Sequence, residues 1–147
     1  MNLFQSRVTG LLFIFILGAA ITSFLIYSTP LRYTDKIEPK IHDIESKEFY
    51  EAYKINPDGY IFIDVRSEDS YKKTHALNSL SVPLHTLYDD RHILPKEGKE
   101  IVLICSGGRA SGVAYSYLEH FGFKNISRIE GGIETWIENG LPTEVSP

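Results

Sequence analysis

The chain has 147 residues, of which 43% are hydrophobic, 12% aromatic and 23% charged, with a formal net charge of −4. This is enough for one domain with a sizeable core plus an appendage, and a mildly acidic chain with no basic run interleaved with aromatics argues against a nucleic-acid partner. A single cysteine, Cys105, excludes an internal disulfide and a CxxC redox pair.

After a short tail at 1–7, residues 8–27 carry no charge. As a helix they would extend roughly 30 Å, the thickness of a bilayer core. The apolar run exceeds that of a signal peptide, and Ile26-Tyr27-Ser28-Thr29-Pro30 offers no small-x-small cleavage site. The expectation is therefore a single-pass membrane anchor over 8–27, with the membrane as a partner. Positions 28–40 are polar, contain Pro30 and Pro39, and read as a linker ahead of a domain at 41–147. Every acidic residue lies beyond position 30, and Arg7 is the only basic residue before it.

Ser46 is a candidate cap for a helix over 47–53, with Glu48 favourably near its N-terminus. Tyr60–Val65 reads as a buried strand, Glu68–Lys73 as a short helix, and Leu80–Val82 as a short strand ended by Pro83. Asp89-Asp90-Arg91 reads as a solvated turn.

Residues 100–112, Glu-Ile-Val-Leu-Ile-Cys-Ser-Gly-Gly-Arg-Ala-Ser-Gly, are the most informative stretch. Ile101–Ile104 is a continuous apolar run, as in a strand buried on both faces of a parallel sheet. From Ala110 the apolar residues Ala110, Val113, Ala114, Tyr117, Leu118 and Phe121 mark one helical stripe. Between strand and helix lie Ser106, Gly107, Gly108 and Arg109. Glycines let backbone N–H groups converge, a helix N-terminus adds partial positive charge, and Arg109 adds a full one. A thiol at that focus should ionise easily, and the same groups would hold an anionic substrate against the sulfur. A lone cysteine at a strand end is most often a small buried hydrophobe. Its position at the head of a Gly-Gly-Arg turn opening a helix reverses that expectation.

Asn125–Ile129 reads as another strand. Gly131-Gly132 then lead into a helix whose Ile133, Trp136 and Ile137 share one face, stopped by Asn139-Gly140 and Pro142. Strands alternating with helices predict an α/β fold, a parallel sheet flanked by helices, with sites at the carboxyl ends of the strands. Asp64 follows an apolar run and would be costly to bury unpaired. The five histidines lack ligand spacing, so no metal is expected. Trp136 is expected in the core.

These residues resemble the rhodanese family of single-domain sulfurtransferases. The family's loop is commonly Cys-x-x-Gly-x-Arg-Ser, leading into a helix that ends in Gly-Phe. Cys105, Gly108, Ser111, Ala114, Leu118 and Gly122-Phe123 match it without gaps. Phe62-Ile63-Asp64-Val65-Arg66 with Tyr71, His75 and Val82-Pro83 resembles the upstream signature. Ile129-Glu130-Gly131-Gly132-Ile133-Glu134-Thr135-Trp136 with Gly140-Leu141-Pro142 resembles the C-terminal one. The usual arginine five places after the cysteine is Ala110 here, and the loop's only cation is Arg109. Thr74, Leu77 and Asn78 also depart from the family's usual glycine and proline.

The resemblance implies a sulfurtransferase in which Cys105 is the nucleophile. It passes a sulfane sulfur from a small anionic donor such as thiosulfate to a thiol or cyanide acceptor through a persulfide. Ser106, Gly107, Gly108, Arg109, Ala110 and Ser111 would bind the substrate, and no metal or organic cofactor is implied. The resemblance and its position give Asp64 a structural role, paired with Arg66 or with loop backbone. Likeness to small exported rhodaneses places the domain on the non-cytoplasmic side. Two alternatives stay open: a tethered, non-catalytic rhodanese-like binding module, and a phosphatase or arsenate reductase on the same fold. The latter use a longer loop with an arginine six places after the cysteine, where this chain has Ser111.

Overall fold

The computed structural model describes residues 3–28 and 41–146. The chain divides into two units, Met1–Pro39 and Lys40–Pro147. In the first, helix α1 runs over Leu3–Ser28, with apolar side chains such as Leu11, Phe15 and Phe24 exposed. Thr22 donates its hydroxyl back to the carbonyls of Gly18 (2.9 Å) and Ala19 (3.0 Å). Among the described residues no helix is long and apolar enough to cross a membrane. This corrects the expectation of a single-pass anchor at 8–27, of the membrane as a partner and of a domain held on its non-cytoplasmic side. Positions 29–40 of the expected linker lie outside the described residues.

In the second unit the elements follow in chain order: β1 (Asp43–Ile44), α2 (Ser46–Ile55), β2 (Tyr60–Asp64), α3 (Glu68–Lys73), β3 (His75–Ala76), β4 (Leu80–Ser81), α4 (Leu87–Asp90), β5 (Glu100–Ile104), α5 (Arg109–His120), β6 (Ile126–Ile129), α6 (Gly132–Glu138) and β7 (Thr143–Glu144). Five strands form a sheet in the order β1-β6-β5-β2-β4, and every pairing in it is parallel. β3 and β7 pair antiparallel as a separate two-stranded sheet. β2 and β5 lie in register at the centre, Ile61 opposite Ile101 and Ile63 opposite Leu103.

The apolar runs of β2 and β5 are continuous because both faces of the sheet are covered. Ile63, Ile101 and Leu103 join Ala114, Tyr115 and Leu118 of α5 on one face. Phe62, Val102 and Ile104 join Phe49 of α2 with Ile133 and Trp136 of α6 on the other. Adjacent residues of one strand thus feed opposite cores, the period-two alternation of a strand. Trp136 is fully buried and donates its indole N–H to the Pro142 carbonyl at 2.9 Å.

The structure shifts several local expectations. Ser46 lies inside α2 with Glu45 at the cap, and its buried hydroxyl accepts from the Asn139 side chain at 2.8 Å. A tertiary partner has taken the hydroxyl expected to cap the helix. On α5 the inward residues are Ser111, Ala114, Tyr115 and Leu118, whereas Val113 is 59% exposed. The helix is rolled so that Ser111 faces the end of β5, which carries Val113 off the sheet. Ile137 is likewise half exposed, so α6 presents Ile133 and Trp136 alone to the core. The two-residue strands β1, β3 and β7 escape pattern reading because so short a run has no readable period.

Candidate active site

β5 ends at Ile104, which places Cys105 at the carboxyl edge of the central strand, directly before the loop to α5. Gly108 is the last residue before α5 and has φ of 94°, a conformation that favours glycine. The Gly108 N–H points at Cys105 Sγ, 3.1 Å away. The Cys105 thiol donates to Ser111 Oγ at 3.4 Å, and the Ser111 hydroxyl donates to the Gly108 carbonyl at 3.0 Å. Ser111 is fully buried and Cys105 is 1% exposed, so the sulfur sits at the foot of the loop with the N-terminus of α5 beside it.

The outer wall of the loop is fixed from α6. Ile133 N–H donates to the Cys105 carbonyl at 2.7 Å and Glu134 N–H to the Ser106 carbonyl at 3.3 Å. Gly132 makes that approach possible: it has φ of 64°, and a Cβ there would fall 2.3 Å from the Cys105 carbonyl oxygen. The family-like Gly-Gly pair therefore exists because two backbones meet at this point.

An open cavity of about 550 Å³ forms around the sulfur. Cys105, Ser106, Gly107, Arg109 and Ala110 of the expected site line it. Gly108 and Ser111 do not; they stand behind the sulfur and bind it there. Arg109 is exposed and, among the described residues, makes no hydrogen bond or ion pair, so its charge is free to meet a ligand. Arg66 also lines the cavity, with two of its three guanidinium nitrogens engaged. It grips fully buried Asp64 through Nε (3.0 and 2.9 Å) and Nη2 (2.6 Å), and gives Nη2 to the Thr74 carbonyl as well. The Arg66 backbone N–H adds a further bond to Asp64 at 3.0 Å. Asp64 is thus a paired buried anion that shapes the β2–α3 turn, and it does not reach the cavity.

Three polar lining residues were not among the expected site residues: Ser67, Ser70 and Glu134. Ser67 caps α3, accepting from the Ser70 N–H, and a Ser-x-x-Ser pattern opening an acidic first turn is the signal for that pair. Glu134 follows the Gly-Gly pair, and its carboxylate lies beside Gly107: a Cβ there would be 3.5 Å from Glu134 Oε2.

A fourth residue, Arg128, reaches the loop from β6. Its Nη1 donates to the Gly108 carbonyl at 2.8 Å, while Nε and Nη2 (3.0 Å) both bond the Asp43 carboxylate on β1. The hydrogen bonds to Asp43 push its proton affinity above the ordinary arginine value, helped by the negative charge of Asp43 and Glu130. A second cation therefore approaches the loop from outside it, beside Arg109 within the loop. Among the described residues no group of three or more His, Cys, Asp or Glu side chains could hold a metal ion.

Residues 45–139 match the rhodanese-like domain family. The chain belongs to that family. A rhodanese-related protein of Thermoplasma volcanium is 31% identical, with a TM-score of 0.63 over 71% of this chain and 99% of that one. A tRNA uridine(34) hydroxylase of Hamiltonella defensa is 36% identical over 103 residues, which are 61% of this chain but 28% of that protein. The rhodanese domain described here thus corresponds to only a part of such hydroxylases. A thiosulfate sulfurtransferase of Pseudomonas aeruginosa shares the fold, with a TM-score of 0.65 and 21% identity, over 72% of this chain and 20% of that one.

Proposed function

We infer that this rhodanese domain is a sulfurtransferase working through Cys105. The observation that carries the reading is the sulfur at the carboxyl end of β5, receiving the Gly108 N–H at 3.1 Å and opening onto a cavity that also holds uncommitted Arg109. The Cys105 thiolate attacks the outer sulfur of thiosulfate and the S–S bond to the sulfonate breaks. Sulfite leaves with the bonding pair, and Cys105 retains a persulfide. A thiol or cyanide then attacks the terminal sulfur and restores the thiolate. Neither half-reaction requires an external oxidant, because the sulfane sulfur moves between thiophilic atoms.

The roles divide according to position. Arg109 attracts the dianion from the cavity side, as a charge-assisted donor. The Gly108 N–H and the N-terminus of α5 favour negative charge on the attacking sulfur and on the persulfide that replaces it. Arg66 is anchored through Nε and Nη2 to Asp64 and Thr74, which among the described residues leaves Nη1 uncommitted at the cavity wall. The reaction in the hydroxylases' name belongs to those longer proteins and is not carried over to this chain.

Mass spectrometry of the full chain after incubation with thiosulfate tests the reading. The expected result is one added sulfur atom at Cys105, removed by cyanide with release of thiocyanate, and no addition to Cys105→Ser. An unmodified wild-type Cys105 under several sulfur donors would leave a binding module. Hydrolysis of an aryl phosphate in its place would point to the phosphatase alternative.

A further inference from the structure

The Gly108 carbonyl accepts three donors: the Gly112 N–H at 3.1 Å, the Ser111 hydroxyl at 3.0 Å and Arg128 Nη1 at 2.8 Å. Two of these come from the first turn of α5. The third comes from across the sheet, and the chain is built around it. Arg128 stands opposite Asp43 in the parallel pairing of β6 with the edge strand β1, where Asp43 holds its guanidinium by two bonds. The guanidinium passes over α5 at Gly112, where an added Cβ would be 2.8 Å from Nη1. Gly112 therefore leaves the space that Arg128 occupies.

We propose that Arg128 is a positioning residue for Cys105, supplying the Gly108 carbonyl with a donor so that the Ser111 hydroxyl remains available to a sulfur anion. The argument turns on Ser111, which has one proton to give. Against the thiol it accepts from Sγ–H and donates to Gly108 O. Once the thiol proton has left to solvent, the Ser111 hydroxyl can turn and donate to the anionic sulfur instead. Gly108 O then loses one donor and keeps two, of which Arg128 is the charged one. Without Arg128, the same rotation would leave the carbonyl with the Gly112 N–H alone.

This deepens the sulfur-transfer reading, and its test is independent of sulfur transfer. Cys105 is the chain's only cysteine, so iodoacetamide alkylation of the full chain, followed by mass, reads its thiolate directly. Arg128→Met is expected to alkylate about three- to tenfold more slowly than wild type at pH 7, with the difference closing as the pH is raised toward about 10. Arg128→Lys should fall between the two, since it restores one charged donor. If Arg128→Met does not fold, Asp43→Asn, which keeps the guanidinium but weakens its hold, should show a smaller deficit with the same pH dependence. Equal rates at pH 7, or the same deficit at both pH values, would overturn the proposal. A wild type that takes up no sulfur yet shows this alkylation pattern would remove the sulfur-transfer reading and leave Arg128 in its role.

Discussion

Arg109 and Arg128 approach the same loop from opposite sides and do different work. Arg109 faces the cavity and, among the described residues, makes no hydrogen bond or ion pair, which leaves its charge open to the cavity. Arg128 is bound at both ends and acts through the Gly108 carbonyl. Arg109→Ala should therefore raise KM for thiosulfate by about tenfold, the scale of one charge-assisted contact, while leaving the unfolding midpoint in urea unchanged. An unaltered KM would mean that backbone N–H groups alone hold the donor. At this scale the sequence disclosed Cys105, Gly108, Arg109 and Ser111, because they are neighbours in one loop. Arg128 was invisible in it, since it lies 20 positions from Gly108 and only the pairing of β6 beside β5 brings it there.

At the scale of elements, α5 is the informative case. Hydrophobic periodicity located the helix from position 110, within a residue of its start, but put Val113 in the buried stripe and omitted Tyr115. Periodicity weighs side chains by polarity alone. Ser111, buried because it binds Cys105 and Gly108, rolls the helix toward the polar side and brings Tyr115 inside. Val113→Lys should accordingly change stability by no more than about 0.5 kcal/mol. Tyr115→Ala should cost about 3 kcal/mol, the usual range for emptying a large buried site. Urea unfolding of the two variants decides the matter: a large loss at Val113 would restore the stripe read from the sequence. The helix α3 and the strand β2 needed no such revision. Their termini are set locally, by Ser67 capping α3 and by the apolar run that ends at Asp64.

For the whole molecule, stability at alkaline pH reflects how the small sheet is fastened to the main one. Tyr71 of α3 donates its hydroxyl to the Ser79 carbonyl and stacks on buried His75, with ring centroids 3.8 Å apart. Burial pushes the Tyr71 phenol above its ordinary value of 10.0, with the charges of Asp64 and Glu144 adding to the rise. Burial likewise raises Tyr117 on the other face. A raised value means the folded state holds the proton more tightly. The associated stability is therefore complete below pH 10 and is lost as pH rises through the folded value. Tyr71→Phe should lower stability at pH 8 by about 1–3 kcal/mol, since a buried carbonyl loses its donor. The same variant should show a shallower decline between about pH 10 and 11 than wild type. Parallel urea titrations across that range measure both effects, and an equal decline would mean that the Tyr71 bond does not govern the alkaline limb.

The sequence by itself determined the alternation of strand and helix, the doubly buried centre of the sheet, and the cysteine loop, since each is written in a contiguous stretch read by local period and turn chemistry. Tertiary structure decided everything that depends on residues meeting across the sheet. It took the Ser46 hydroxyl for Asn139, rolled α5, and made Gly132 the point where α6 touches the Cys105 carbonyl. It also set Arg128 between Asp43 and Gly108. The charge-free stretch at 8–27 marks the same boundary from the other side. Its composition suggested an anchor, while a spanning role needs a sufficient length of apolar helix, and no described helix meets that requirement. Local pattern records what a segment prefers. Side-chain direction and long-range pairing, which no window of sequence contains, decide what it does.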